Sequence, residues 1–74
     1  MRQGKAKIKV EKKRHYFVWV IPDNDEPMKF NLLSLRSALF IIDCAMRKYE
    51  KVELEYPEDD ILLVGGLTKV VGIK

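Results

Sequence analysis

The beginning of the chain alternates strictly between lysine and apolar side chains. Over residues 5–10, each odd position is a lysine and each even position is alanine, isoleucine or valine. Successive side chains of a strand point to opposite faces, so this period of two predicts a strand with one buried face and one lysine-bearing face. We expect the strand to run from about Lys5 to Glu11, in a sheet that the rest of the chain covers on one side only.

A second strand is expected directly after the first. Lys12, Lys13 and Arg14 are expected to form a turn, and the segment from about His15 to Ile21 is rich in the aromatic and β-branched residues that favour strands. Pro22 ends that strand, and residues 23–27 are typical of an acidic loop. The pattern therefore predicts a hairpin with a basic tip.

One amphipathic helix is predicted in the middle of the chain. Asn31 or Ser34 is expected to cap its start, and the helix is expected to run to about Glu50. Apolar residues at helical spacing are expected to form its core face. These residues are Leu35, Ala38, Leu39, Ile42, Ala45, Met46 and Tyr49.

The remaining residues are predicted to form three more strands. Between Val52 and Tyr56 apolar residues alternate with glutamates, while 61–64 and 67–73 are short apolar segments. Gly65 and Gly66 between them favour a tight turn, because glycine accepts positive φ. The predicted order is β-β-α-β-β-β. We expect a single α+β domain over residues 1–74, with one helix packed on a mainly antiparallel sheet.

Composition limits how such a short chain is stabilised. The 47% of hydrophobic residues suffices for a core, but the single cysteine excludes an intrachain disulfide. One cysteine and one histidine also exclude a Cys/His zinc site, so no cofactor or metal is expected. A lone thiol is typical of a reducing cytoplasm, which is the expected location. The apolar runs are too short to cross a bilayer, so no membrane association is expected.

Charge is distributed unevenly along the chain. Residues 1–20 carry seven cations and one anion, while residues 50–60 carry six anions and one cation. Two interpretations remain open. The acidic segment pairs with the basic hairpin inside one chain, or the basic end of one copy docks on the acidic end of another to give a homodimer.

The hairpin register decides the position of two large aromatic residues. With a three-residue turn, Phe17 and Trp19 share a face with the lysines of the first strand. With a two-residue turn, both rings lie on the apolar face and become part of the core. No Asn-Gly or Asp-Gly pair fixes the turn, so the sequence leaves both registers open.

The predicted helix has an unusual outer face. Arg36, Phe40 and Arg47 fall on the side away from the core stripe. Phenylalanine and arginine are enriched at protein interfaces, so this face is a candidate protein contact. The alternative is that a loop or a chain terminus covers Phe40.

Catalysis is not expected. His15 is the only histidine, and no nucleophile lies next to it in the hairpin, while Ser34 and Ser37 belong to the helix segment. The Gly65-Gly66 pair is not followed by the Lys-Ser or Lys-Thr of a phosphate-binding loop.

These features predict a small non-enzymatic regulatory module that acts in nucleic-acid transactions of the transcription or replication type. Cations of the hairpin would contact phosphates, and its rings would stack on bases if exposed. An alternative is an inhibitor or adaptor that docks the hairpin and the helix face on an acidic surface of a partner protein. A charge-complementary homo-oligomer is a further alternative. The candidate nucleic-acid-binding residues are Lys5, Lys7, Lys9, Lys12, Lys13, Arg14, Phe17 and Trp19, and the candidate protein-binding residues are Arg36, Phe40 and Arg47.

Overall fold

The computed structural model of the chain describes residues 3–57 and 59–71. These residues form an α+β fold of four strands and two helices. The elements in chain order are β1 (Gln3–Lys12), β2 (Tyr16–Pro22), β3 (Met28–Leu32), α1 (Leu35–Lys48), β4 (Tyr49–Glu55) and α2 (Ile61–Val71). The predicted β-β-α-β-β-β order with one helix is wrong. A third strand precedes α1, and a second helix replaces the last two predicted strands.

The four strands form one mixed sheet in the order β3-β2-β1-β4. β1 pairs antiparallel with β2, and β2 pairs antiparallel with β3, whereas β1 and β4 are parallel. The predicted sheet was mainly antiparallel, and the parallel pair is possible because α1 carries the chain from one edge to the other. A parallel neighbour requires such a long crossover connection.

β3 occupies residues between the predicted acidic loop and the predicted helix, and it includes Asn31, one of the two predicted caps. Its sequence alternates apolar and polar side chains, and Phe30 pairs with Val18 of β2. Asn31 therefore lies in a strand and does not cap the helix. Ser34 is the N-cap, since its hydroxyl accepts a hydrogen bond of 3.2 Å from the backbone N–H of Ser37.

The core lies between α1 and one face of the sheet. On the sheet side it consists of small and β-branched residues, which leave room for a close helix. The buried strand residues are Ala6, Ile8 and Val10 of β1 and Val18 and Val20 of β2. The predicted core face of α1 is confirmed, with Ala38, Ile42 and Ala45 buried and Leu35, Leu39 and Met46 partly buried against them. Tyr49, predicted to belong to the same face, is also buried, but it follows the helix as its C-cap and the first residue of β4.

α2 replaces the predicted hairpin at Gly65-Gly66. Asp60 caps its start, because the Asp60 Oδ1 atom accepts a hydrogen bond of 3.1 Å from the Leu63 backbone N–H. Leu63 and Leu67 lie one turn apart, and both are buried in the core. Helical spacing of buried leucines therefore outweighs the low helix propensity of two glycines. Glu58 and residues 72–74, including the predicted strand end at Ile73, lie outside the described residues.

Neither helix of the described residues has the length and apolarity needed to cross a membrane.

Candidate nucleic-acid interface

The observed hairpin register places the two large aromatic residues outside the core. Lys12 pairs with Tyr16, so the turn consists of the three residues 13–15, one position later than predicted. The parity is that of a three-residue turn. Phe17 and Trp19 consequently lie on the sheet face opposite the helices, and both are partly exposed. The alternative register, which would place both rings in the core, is not observed.

We call the uncovered side of the sheet the open face. It consists of the alternate side chains that point away from the core on all four strands. Its members are Lys5, Lys7, Lys9 and Glu11 of β1, Phe17, Trp19 and Ile21 of β2, Lys29 and Asn31 of β3, and Lys51, Glu53 and Glu55 of β4.

Trp19 stands between two lysines in a row that crosses three strands. Lys9 of β1 is its partner on one side, and Lys29 of β3 is its partner on the other. The Lys9 Nζ lies 5.9 Å from the centroid of the Trp19 ring, and the Lys29 Nζ lies 5.2 Å from it. Both distances are within the range of a cation–π interaction, so the ring sits in a locally cationic environment.

Phe17 extends this site along β2. Its ring centroid lies 6.0 Å from that of Trp19, and the two ring planes are tilted by 34°. The Lys29 Nζ also lies 4.9 Å from the Phe17 centroid, so one ammonium group reaches both rings. We call Lys9, Phe17, Trp19 and Lys29 the aromatic–lysine patch.

Lys29 was absent from the predicted site, because residues 28–32 were not recognised as a strand. The signal was present in the sequence, since Met28, Phe30 and Leu32 alternate with Lys29 and Asn31. That alternation spans only five residues between an acidic loop and a helix cap. Pairing with β2 places Lys29 opposite Trp19 and Asn31 opposite Phe17.

Acidic side chains border the lysines of β1 on the open face. The Lys7 ammonium lies 3.0 Å from a Glu55 carboxylate oxygen, and the Lys9 ammonium lies 3.2 Å from a Glu11 carboxylate oxygen. The hydrogen bond and the charge of Glu55 raise the pKa of Lys7, and the same contact lowers the pKa of Glu55. Both groups therefore stay charged at neutral pH. Because these pairs are about half exposed, they contribute little to stability and can be exchanged for other ionic partners.

Lys12 is directed away from the open face. Its ammonium lies 3.4 Å from the Asp60 Oδ2 atom at the start of α2. That oxygen is buried and has no hydrogen-bond partner of normal geometry among the described residues, so the ammonium charge is what compensates it. The charge of Asp60 raises the pKa of Lys12, and the hydrogen bond from the Leu63 backbone lowers the pKa of Asp60. The Lys12–Asp60 ion pair thus connects the hairpin to the start of α2.

The other predicted cations fall into two groups. Lys5, Lys7 and Lys9 line the open face beside the rings, whereas Lys13 and Arg14 are exposed at the hairpin tip. The structure therefore brings five of the eight predicted nucleic-acid-binding residues onto one surface. Pairing of acidic and basic segments within one chain, one interpretation of the uneven charge, is present at Lys7–Glu55 and Lys12–Asp60.

The candidate protein-binding residues lie on the outer side of α1. Arg36, Phe40 and Arg47 are all exposed, and 57% of the Phe40 surface is accessible. Arg47 also forms an ion pair of 3.0 Å with Asp43, one helical turn earlier. Because α1 covers the other side of the sheet, this group is separated from the aromatic–lysine patch by the core.

Comparisons with protein-family models, with curated proteins and with solved structures found no match to this chain.

Proposed function

We propose that the chain is a non-enzymatic nucleic-acid-binding module, acting in transactions such as transcription or replication, and that the open face is its binding surface. The observation that supports this most is the position of Trp19 between Lys9 and Lys29, with Phe17 beside it. Bases need flat apolar surfaces for stacking and phosphates need cations, and this patch offers both within one row of side chains.

The positions of the lysines fit a backbone contact. Five lysines of the open face stand against three glutamates, so the surface has a net positive charge. Binding of this kind is mainly electrostatic, and it depends little on base sequence because phosphates carry no sequence information. We therefore expect weak sequence preference and strong salt dependence.

Among the described residues, the aromatic and cation–π contacts of the two rings are with each other and with the ammonium groups of Lys9 and Lys29. Large aromatic side chains are normally buried in small domains, and Tyr49 is buried in this core, yet Phe17 and Trp19 lie on the opposite face of the sheet and are only partly buried. A tryptophan on an open face stabilises the free protein less than a buried one would. Its placement supports a role in contacting a ligand.

A second candidate function is docking on a partner protein through Arg36, Phe40 and Arg47. The observation that favours it is the 57% exposure of Phe40, a large apolar side chain in the middle of α1. The homo-oligomer is a weaker candidate, because Lys7, Lys12, Glu55 and Asp60 already pair within one chain. An acidic protein surface on the hairpin is also weaker, since it would leave the rings without a stacking partner.

An NMR titration tests the proposed function directly. Amide shifts of the labelled protein are followed as a mixed pool of short DNA and RNA is added, at about 50 mM and about 200 mM salt. We expect shifts at the open-face residues of β1, β2 and β3 that are largest at the lower salt concentration. The absence of shifts at low salt, or shifts confined to residues 13–15, would contradict the proposal.

Matched variants separate the open face from the helix face. Trp19→Val keeps a strand-forming residue but removes the ring, and we expect it to weaken binding by roughly 5- to 150-fold, the range for one base stack. Phe40→Ala removes an exposed aromatic residue on the other side of the molecule and should leave this binding unchanged. The same Phe40→Ala variant should lose capture of a partner protein if the second candidate function is correct.

A further inference from the structure

The aromatic–lysine patch also contains information about the form of its ligand. This inference rests on the proposed function and asks which nucleic acid the open face accepts. We infer that the ligand is an extended single strand that lies along β2, with one base on Phe17 and the neighbouring base on Trp19.

The distance between the two rings is the first argument for an extended single strand. Neighbouring bases in a duplex strand are stacked about 3.4 Å apart along the helix axis. The centroids of Phe17 and Trp19 are 6.0 Å apart, because the residues are two positions apart on one strand. Two bases that each stack on one ring are therefore too far apart to stack on each other. The nucleotide step between them has to be unstacked and extended.

The second argument comes from the position of the two rings on the open face. In a duplex the two faces of each base are covered by neighbouring bases, and only the edges and the phosphates are accessible. The rings would then have no base face to contact, and only the lysines would bind. A single strand exposes its base faces and can use the rings and the lysines together.

The charges beside the rings define the path of the strand. Lys5, Lys7 and Lys9 follow β1 at the same two-residue spacing as the rings of β2, so phosphates can run beside the bases. One strand further out, β4 carries Glu53 and Glu55 on the same face. Neighbouring strands are about 4.8 Å apart, so a wide anionic ligand would come close to these carboxylates. A narrow ligand over β1, β2 and β3 comes close to fewer carboxylates, and its phosphates would replace Glu55 and Glu11 as the partners of Lys7 and Lys9.

Lys29 has to move when the strand binds. Its ammonium lies 4.9 Å from the Phe17 centroid and 5.2 Å from the Trp19 centroid, where it occupies the space that the bases need. An exposed cation–π contact is weak, and the lysine side chain is long and flexible. We expect bases to displace the ammonium, which then contacts a phosphate of the same strand.

Fluorescence anisotropy with matched ligands tests the inference. The ligands are a labelled single strand of mixed sequence and the same strand annealed to its complement, each measured with the parent, Trp19→Val and Trp19→Phe at one salt concentration. We expect the single strand to bind at least tenfold more tightly than the duplex. The ratio of single-strand affinity to duplex affinity should fall several-fold in Trp19→Val. It should be largely retained in Trp19→Phe, which keeps a ring.

A comparison of homopolymers tests the unstacked step. An oligothymidine strand stacks weakly on itself and an oligoadenosine strand stacks strongly, while both carry the same charge at equal length. We expect the ratio of the two affinities to shift towards oligoadenosine when Phe17→Val removes one ring, because a single ring no longer requires two neighbouring bases to separate. An unchanged ratio would refute the arrangement of one base per ring.

The outcomes separate the inference from the proposed function. Equal or tighter binding of the duplex, unaffected by Trp19→Val, would overturn the single-strand inference and leave an electrostatic nucleic-acid contact in place. The absence of binding by either ligand would overturn both. Circular dichroism of each variant shows that it is folded before its affinity is compared.

Discussion

Two adjacent glycines of α2 provide a sharp test of the fold, because the structure places them in very different surroundings. A β-carbon added at Gly65 would meet no other atom within 4 Å. A β-carbon added at Gly66 would lie 2.7 Å from Cδ1 of Leu39 and 3.1 Å from its Cδ2. Gly66 is thus the point at which α2 approaches α1 closely, while Gly65 faces solvent.

The expected effect of each substitution follows from these contacts. Gly65→Ala gains helix propensity without a clash, so we expect it to raise the free energy of unfolding by roughly 0.5–1 kcal/mol. Gly66→Ala gains the same propensity, but overpacking against Leu39 costs about 1–3 kcal/mol. We therefore expect Gly66→Ala to be neutral or to destabilise the protein by up to about 2.5 kcal/mol.

Urea unfolding followed by circular dichroism measures both effects. For a domain of this size, about 1 kcal/mol corresponds to roughly 4–8 °C in Tm, so a thermal scan is an independent check. The Leu39→Ala background provides the control, since Gly66→Ala should cost less once the contacting side chain is shortened. If the glycines instead formed a hairpin turn with positive φ, Gly65→Ala would destabilise the protein. That result would refute the assignment of α2.

Two further predictions concern charged groups. Lys29→Gln should reduce the slope of log affinity against log salt concentration by roughly 0.7 for a single-stranded ligand, whereas Lys13→Gln at the hairpin tip should change it less. Equal reductions would argue against a specific role for the patch. The lowered pKa of Asp60 means that its stabilising contribution is present above its ordinary pKa of 3.8 and is lost as the pH falls through the lower folded value. Unfolding measured between about pH 5 and pH 2 should therefore show a smaller loss of stability in Asp60→Asn, which retains a capping side chain, than in the parent. Parallel curves would exclude Asp60 as a source of the acid sensitivity.

Local periodicity was sufficient to predict about half of the fold. β1, β2, the apolar face of α1 and the alternating part of β4 each repeat their pattern over a strand or several helical turns. Such patterns arise from burial of one face and can be recognised without knowledge of the partner element. Ser34 was one of the two predicted caps for the same reason, because its hydrogen bond is local.

The elements that were missed depend on distant contacts. Gly65-Gly66 favours a turn locally, and only the burial of Leu63 and Leu67 and the close approach to Leu39 make a helix more stable there. β3 is short, and it becomes a strand by pairing with β2. Since Lys29 belongs to β3, missing this strand also removed a central residue from the predicted site.

The register of the hairpin shows how the core determines the candidate site. Local sequence allowed the rings to lie on either face, but α1 presents Ala38 and Ala45 to the sheet, and the sheet presents Ala6 to the helices. Small residues on both sides bring the two layers close together, and rings as large as Phe17 and Trp19 would force them apart at a cost of overpacking. The small residues of α1, which are far from the hairpin in sequence, therefore disfavour the register that would bury both rings. Because the core forms without the two rings, Trp19 lies between Lys9 and Lys29 with Phe17 beside it, where our proposal assigns both rings to base stacking.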